Sequence, residues 1–215
     1  MTSSNVHWGH LDEDDRDISD EVEPDIKPIT SAGILPFAVY RRHVFFLLGK
    51  EGYEPEYGDS DKWSDFAGKL NEGETVEDGA CREFYEETAG CVLDLPDVKQ
   101  RIFNKEYLLC CDLHPLKSTS FRTYLLLVPY RDYQTIFRRT KHFMQYTGAS
   151  VSCIEKTQLN WFSYREVHDI VFNRWGDDRY RRKPKFRPKF SENLRRILRE
   201  PNLQELCFQA YARNK

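Results

Sequence analysis

Five apolar residues in unbroken succession, Val44-Phe45-Phe46-Leu47-Leu48, mark a strand covered on both faces. Thr30 to Val39 forms a second strand before it, and Arg41-Arg42 is the short turn between them. From Glu51 to Asp61 the chain turns to Gly, Pro, Tyr and acid, a loop composition. Trp63 to Ala67 is a short strand running into Gly68. The period then changes. Val76, Ala80 and Phe84 recur at helical spacing within a helix from Thr75 to Ala89. Thr75 caps its start with Asp78 in a capping-box-like pair, and Gly90 stands where a C-terminal glycine belongs. Beyond it, Glu106 to Leu113 and Phe121 to Val128 read as strands, Asp132 to Phe143 as a helix, and Asn160-Trp161-Phe162 as a short strand. Ser163-Tyr164-Arg165-Glu166 is a second capping box and opens a helix reaching Phe172. Leu194, Ile197 and Leu198 repeat at helical spacing near the C-terminus. Strands and helices in mixed order predict an α/β sandwich around a mixed sheet.

The length of 215 residues suits one domain with appendages, and 40% apolar content is enough for a core. A formal charge of -3 hides an asymmetry: Asp12 to Asp25 is mostly acidic, Arg174 to Lys189 mostly basic. The expected organisation is an acidic disordered tail over 1–27, a principal domain over 28–173, and a basic extension with a terminal helix over 174–215. No run approaches the eighteen apolar residues of a membrane span, and the N-terminus lacks a secretory pattern. Six cysteines without C-x-x-C spacing read as free thiols in a reducing compartment. A cytoplasmic or nuclear protein without a membrane partner is expected; the oligomeric state is left open.

The chemistry concentrates in the helix after Gly68. On its wheel Glu83 and Glu87 lie one above the other, with Glu86 on the flank and the apolar face beside them. Crowded carboxylates call for a cation. Hard oxygens at this density suit Mg²⁺ or Mn²⁺, and a metal beside a glycine loop suggests phosphate chemistry. Gly79, in mid-helix, costs about 1 kcal/mol relative to alanine, so a close approach at that point is expected.

The register Gly68, Glu74, Arg82-Glu83-Phe84, Glu86-Glu87 resembles the Nudix box. Two departures stand out: the glycine expected at 89 is Ala89 with Gly90 one later, read as a one-residue helix extension, and Ala67 replaces a common glycine before the box. The resemblance implies a Nudix-type α/β/α sandwich with a mixed β-sheet, hydrolysing a diphosphate linkage in a nucleoside diphosphate derivative. It implies metal ligation by Glu83, Glu86, Glu87 and the Gly68 carbonyl, with Glu83 or Glu87 as base. Arg82 would orient the acids, Glu74 would pair with Arg82, and Glu155 would act as a later-loop base or ligand.

The partner is then a phosphorylated small molecule, a nucleotide in the first instance, held by residues outside the box. Lys69 can reach a phosphate, Tyr53 and Tyr57 can stack on a base, and Arg122 or Tyr124 can face the pocket. The alternation of Arg179, Arg181, Arg182, Lys183, Lys185, Arg187 and Lys189 with Tyr180, Phe186 and Phe190 suits RNA or an inositol pyrophosphate. Pro184 and Pro188 make that stretch an extended arm rather than a helix. Two alternatives follow: a hydrolase of RNA 5′ caps, 5′ triphosphates or inositol pyrophosphates, and a non-catalytic binding module.

Overall fold

A computed structural model describes residues 28–54, 56, 58–113, 120–148, 155–172 and 184–214. The acidic tail, Tyr57 and the basic residues Arg179 to Lys183 lie outside the described residues.

Strand β1 (Ile29–Tyr40) is the axis of the sheet. Its outer half pairs antiparallel with β2 (His43–Glu51), from Phe37 against Phe46 to Tyr40 against His43. Its inner half pairs antiparallel with β4 (Phe66–Lys69), from Ser31 against Lys69 to Ile34 against Phe66. On the other edge β1 runs parallel to β6 (Ser120–Leu127), which pairs antiparallel with β5 (Leu109–Leu113). β3 (Trp63–Ser64) and β7 (Lys156–Ser163) pair with β2 and complete a mixed seven-stranded sheet.

Helices cover both faces. One core joins Ala32, Ile34, Leu47 and Phe66 of the sheet to α1 (Val76–Glu87), α2 (Leu95–Phe103) and α3 (Tyr133–Thr147). The other joins Leu35, Phe37, Phe46 and Leu48 to α4 (Tyr164–Phe172), α5 (Pro188–Ile197) and α6 (Leu203–Arg213). The α/β/α sandwich with a mixed sheet is therefore the observed fold. Period-2 alternation along β1 assigns Ala32 and Ile34 to one core and Leu35, Phe37 and Val39 to the other.

Three expectations need correction. Pro188 does not exclude a helix; it occupies the first turn of α5, where its missing N–H has no intrahelical role. The end of the basic arm is not free either. Phe186 bridges to Trp63, with Trp63 N donating to the Lys185 carbonyl at 2.8 Å and Arg187 N to the Trp63 carbonyl at 3.0 Å. Nor does α1 gain a residue before its cap: it ends at Glu87, and both Ala89 and Gly90 take left-handed backbone, with φ of 51° and 64°. Helix α2 was not foreseen, although Asp94 caps it, Pro96 sits in its first turn, and Val98 and Ile102 form its buried face.

A candidate active site along helix α1

Helix α1 carries its acids at the edge of the core because Ala80 and Phe84 are buried beneath the sheet-facing side. Thr75 holds the helix start by accepting from Asp78 N at 3.1 Å. Gly79 earns its place sterically, since a β-carbon there would strike Leu70 and crowd the Glu74 carboxylate at 3.2 Å. The close approach expected at that glycine is that of the box loop itself.

Gly68 faces Glu83 so closely that a β-carbon would collide with the carboxylate. The loop glycine thus lets an acid of α1 lie directly across the end of β4. Ala67, one residue earlier, is accommodated from the opposite strand. It pairs with Gly33, whose missing side chain leaves room for the Ala67 methyl.

Arg82 ties the loop to the helix. Its Nε and Nη2 each donate to Glu74 at 2.9 Å, a two-pronged pairing. Its Nη1 reaches Glu83 at 2.7 Å and Glu86 at 3.2 Å, and Nη2 also donates to the Lys69 carbonyl at 3.0 Å. Hydrogen bonds from Arg82 hold the Glu74 carboxyl below its ordinary value. Burial raises Glu83 despite the pull of Arg82, and the charges of Glu86 and Glu155 push the same way. Glu155 is exposed, yet desolvation raises its carboxyl as well, helped by Glu51 and Glu86. Glu155, the residue just before β7, is therefore within electrostatic reach of Glu83 and Glu86.

Glu87 behaves differently. It is buried, and its two oxygens are engaged by Lys156 Nζ at 3.0 Å and by Ala67 N at 2.8 Å. Burial pushes its carboxyl up to about 8, against the pull of Lys156. Lys156 has no solvent exposure and also meets Glu51 at 2.5 Å and Ser64 Oγ at 2.9 Å. Burial alone would discharge this ammonium, but Glu87 and Glu51 hold it above the ordinary lysine value. Arg187 closes the network at 3.1 Å from Glu51. Asp65, fully buried below the loop, is raised by burial to about 6 while accepting from Thr123 at 3.2 Å. None of Glu51, Asp65, Lys156 or Arg187 was foreseen as part of this site.

Among the described residues, no three acidic, histidine or cysteine side chains converge on one point as they stand, because Arg82 and Lys156 hold the carboxylates. The donor set nevertheless fits a hard divalent cation: carboxylate oxygens of Glu83 and Glu86 beside a loop glycine, with Glu155 nearby.

The substrate-side residues are dispersed. The Lys69 side chain is exposed at the end of β4, and Tyr53 is exposed in the loop after β2. Arg122 lies in the row Gly68–Ala32–Arg122–Asp112 across the sheet, so it is at the right end. Its fork is held by Asp112 through two 2.7 Å hydrogen bonds. Tyr124 is buried and donates to Glu77 at 2.8 Å, so it does not face a pocket.

The family model described as NUDIX domain matches residues 28–182. The uncharacterized protein L534 of Acanthamoeba polyphaga mimivirus is 38% identical over 77 residues, which is 35% of this chain and 25% of that protein. The match thus spans about a quarter of the curated relative's length. Among solved structures, a MutT/nudix family protein from Enterococcus faecalis is 15% identical with a TM-score of 0.45, covering 88% of this chain and 70% of that one. The Nudix hydrolase RenU from M. smegmatis is 13% identical with a TM-score of 0.43, covering 79% and 83%. The NUDIX domain of Shewanella oneidensis NrtR, complexed with ADP ribose, is 14% identical with a TM-score of 0.42, covering 87% and 88%.

Proposed function

Because this chain belongs to the NUDIX family, we propose that it hydrolyses a diphosphate linkage in a nucleoside diphosphate derivative with the help of Mg²⁺ or Mn²⁺. The observation that carries this reading is the Glu83 carboxylate lying across Gly68, with Glu86 and Glu155 in electrostatic reach. Glu83, Glu86 and the Gly68 carbonyl would hold the ion. When bound, it would neutralise the diphosphate and favour attack by water.

The chain's own residues supply the rest. Arg82 fixes Glu83 and Glu86 in place and is itself fixed by Glu74. Glu155 is the general base. It takes a proton from water as the water oxygen bonds to phosphorus and the bridging oxygen leaves with the second phosphate. Glu87 is expected by resemblance to be a ligand or base, but it is buried against Lys156. We read it as the group that positions the loop through Ala67 N. Lys69 and Tyr53 are free to meet phosphate and base, and release of Arg122 from Asp112 would add a third contact.

The test is a metal-dependent hydrolysis screen with product identification on ADP-ribose, dinucleoside polyphosphates, oxidised dNTPs, inositol pyrophosphates and capped RNA. Glu86→Gln and Glu155→Gln should each lose about 10²-fold or more in kcat on the substrate found. Wild-type turnover in both variants would sink the reading. A ligand bound with metal but never cleaved would favour a binding module instead.

A further inference from the structure

The end of the sheet farthest from the box has a surface that the hydrolytic site does not use. Tyr40 and His43 pair across a two-residue turn, Arg41-Arg42. Both arginines have left-handed backbone, with φ of 47° and 64°. This is the pattern of a type I′ hairpin turn, where Asn-Gly is the relaxed choice and bulky residues are strained. Strain kept at a tight turn points to a use for the side chains that cause it.

Those side chains meet an aromatic column. The Arg41 guanidinium lies 5.2 Å from the Tyr40 ring centroid. Tyr40 stacks on Tyr130 at 4.4 Å and 5°, and Tyr130 stacks on Trp161 at 5.1 Å and 26°. Trp161 Nε1 donates to the Arg131 carbonyl at 2.8 Å, which fixes the base of the column. Yet Tyr40 and Tyr130 remain 41% and 37% exposed. Phe45 leans on Tyr130 and also lines a cavity of about 600 Å³ whose walls include His43, Arg165 and His168. The acids flanking these arginines among the described residues are Asp132, which caps α3 through Thr135 N, and Glu166, which accepts from Ser163. Arg41, Arg42, Arg131 and Arg165, all exposed, outnumber these two, and the tip itself carries only Arg41 and Arg42.

From these observations we infer that the β1–β2 hairpin end binds single-stranded nucleic acid. Phosphates meet Arg41, Arg42 and Arg131, and an unstacked base adds to the column on the Arg41–Tyr40 end. A duplex keeps its bases stacked internally and cannot use the column. The surface lies about 30 Å from the box, taking roughly 3.3 Å per residue along β1 from Ser31 to Tyr40. It stands independently of the hydrolase reading.

The test uses the full chain and fluorescein-labelled 15-nucleotide oligouridylate and oligothymidylate, read by anisotropy over a salt series. Arg41→Asn combined with Arg42→Gly should weaken binding about tenfold and flatten the log–log salt slope by about 1.4. The same pair should raise the Tm, because it relaxes the turn, so lost binding cannot be lost fold. Tyr130→Ala should weaken binding while leaving the salt slope unchanged. Three results would each overturn the inference: no binding of either oligonucleotide by the wild type at low salt, wild-type affinity in both variants, or equally tight binding of a 15-base-pair duplex.

Discussion

Lys156 and Glu87 form an ion pair at 3.0 Å with neither side chain open to water beyond a few per cent. The lysine reaches Glu51 as well, so one ammonium joins the end of β2 to the last turn of α1. Gly49 makes this path available, since a β-carbon there would press on the lysine stem at 3.0 Å.

Lys156→Met keeps the stem and removes the charge. Glu51 retains Arg187, whereas Glu87 is left buried with only Ala67 N. Breaking one side of a buried pair costs about 3–5 kcal/mol. Urea unfolding at pH 9, above the folded Glu87 value of about 8 so that the carboxylate is ionised, should show a loss in that range. Lys156→Met combined with Glu87→Gln should recover a large part of it, because the uncompensated charge has gone. Equal stabilities of the single and double variants would show that the pair does not matter.

The pH dependence of stability follows from the same residues. The folded-state value of Glu87, about 8, lies above its ordinary 4.5, and that of Asp65, about 6, above 3.8. The native state therefore binds more protons than the unfolded chain between the two values of each group. Stability should fall as pH rises from about 5 to 8, and most steeply below pH 6, where both groups contribute. The depressed values of Glu51 and Glu74 act in the opposite sense but only below about pH 4.5. Thermal melts of metal-free protein across this range would check the slope; a Tm that rises from pH 5 to 8 would contradict it.

Much of this site is legible in the sequence. The acids, Arg82 and Glu74 stand at fixed spacing on one helix, so local periodicity places them. Lys156 is not legible, and the reason is a bulge. Leu159 and Trp161 face the core that holds α1 and α3, and strict alternation would send Thr157 to that side too. The register shifts between Lys50 and Glu51, so Thr157 stays exposed and Lys156 turns inward. Arg187 escapes sequence reading for a different reason. Its partners, Glu51 and Asp59, are more than a hundred residues away, and Arg187 itself sits within a basic run that resembles a solvated arm. Tyr124 shows that alternation gives the face but not the depth: it shares a face with Arg122, yet α1 covers it.

Ala89 offers a gain in stability. Its φ of 51° is left-handed, a region that costs a non-glycine residue about 1–2 kcal/mol. Ala89→Gly removes that strain but frees the unfolded chain, which offsets about 0.4–1 kcal/mol. The net should be a stabilisation of about 0.5–1 kcal/mol, raising Tm by about 2 °C for a chain of this size. Hydrolysis should be unaffected, since the position follows all the acids. A fall in Tm would mean that the methyl group's packing against the α1 core outweighs the backbone strain.

Arg82→Lys separates charge from geometry. Lysine keeps one positive charge near Glu83 but cannot span two oxygens of Glu74 while also reaching Glu86 and the Lys69 carbonyl. The loop and the helix acids then lose their common brace. A displacement of about 1 Å at the reacting centre can cost 10²-fold, so kcat should fall by about that factor. KM should change little, because Lys69 and Tyr53 remain available to the substrate. Global stability should drop by only about 1–2 kcal/mol, since the pairs are partly solvated and α1 is anchored separately by Phe84 and Glu87. Glu74→Gln supplies the control: it weakens the same brace from the loop side and should lower kcat in the same direction by a smaller factor. If Arg82→Lys instead raised KM and spared kcat, Arg82 would be a substrate contact rather than the group that positions Glu83 and Glu86.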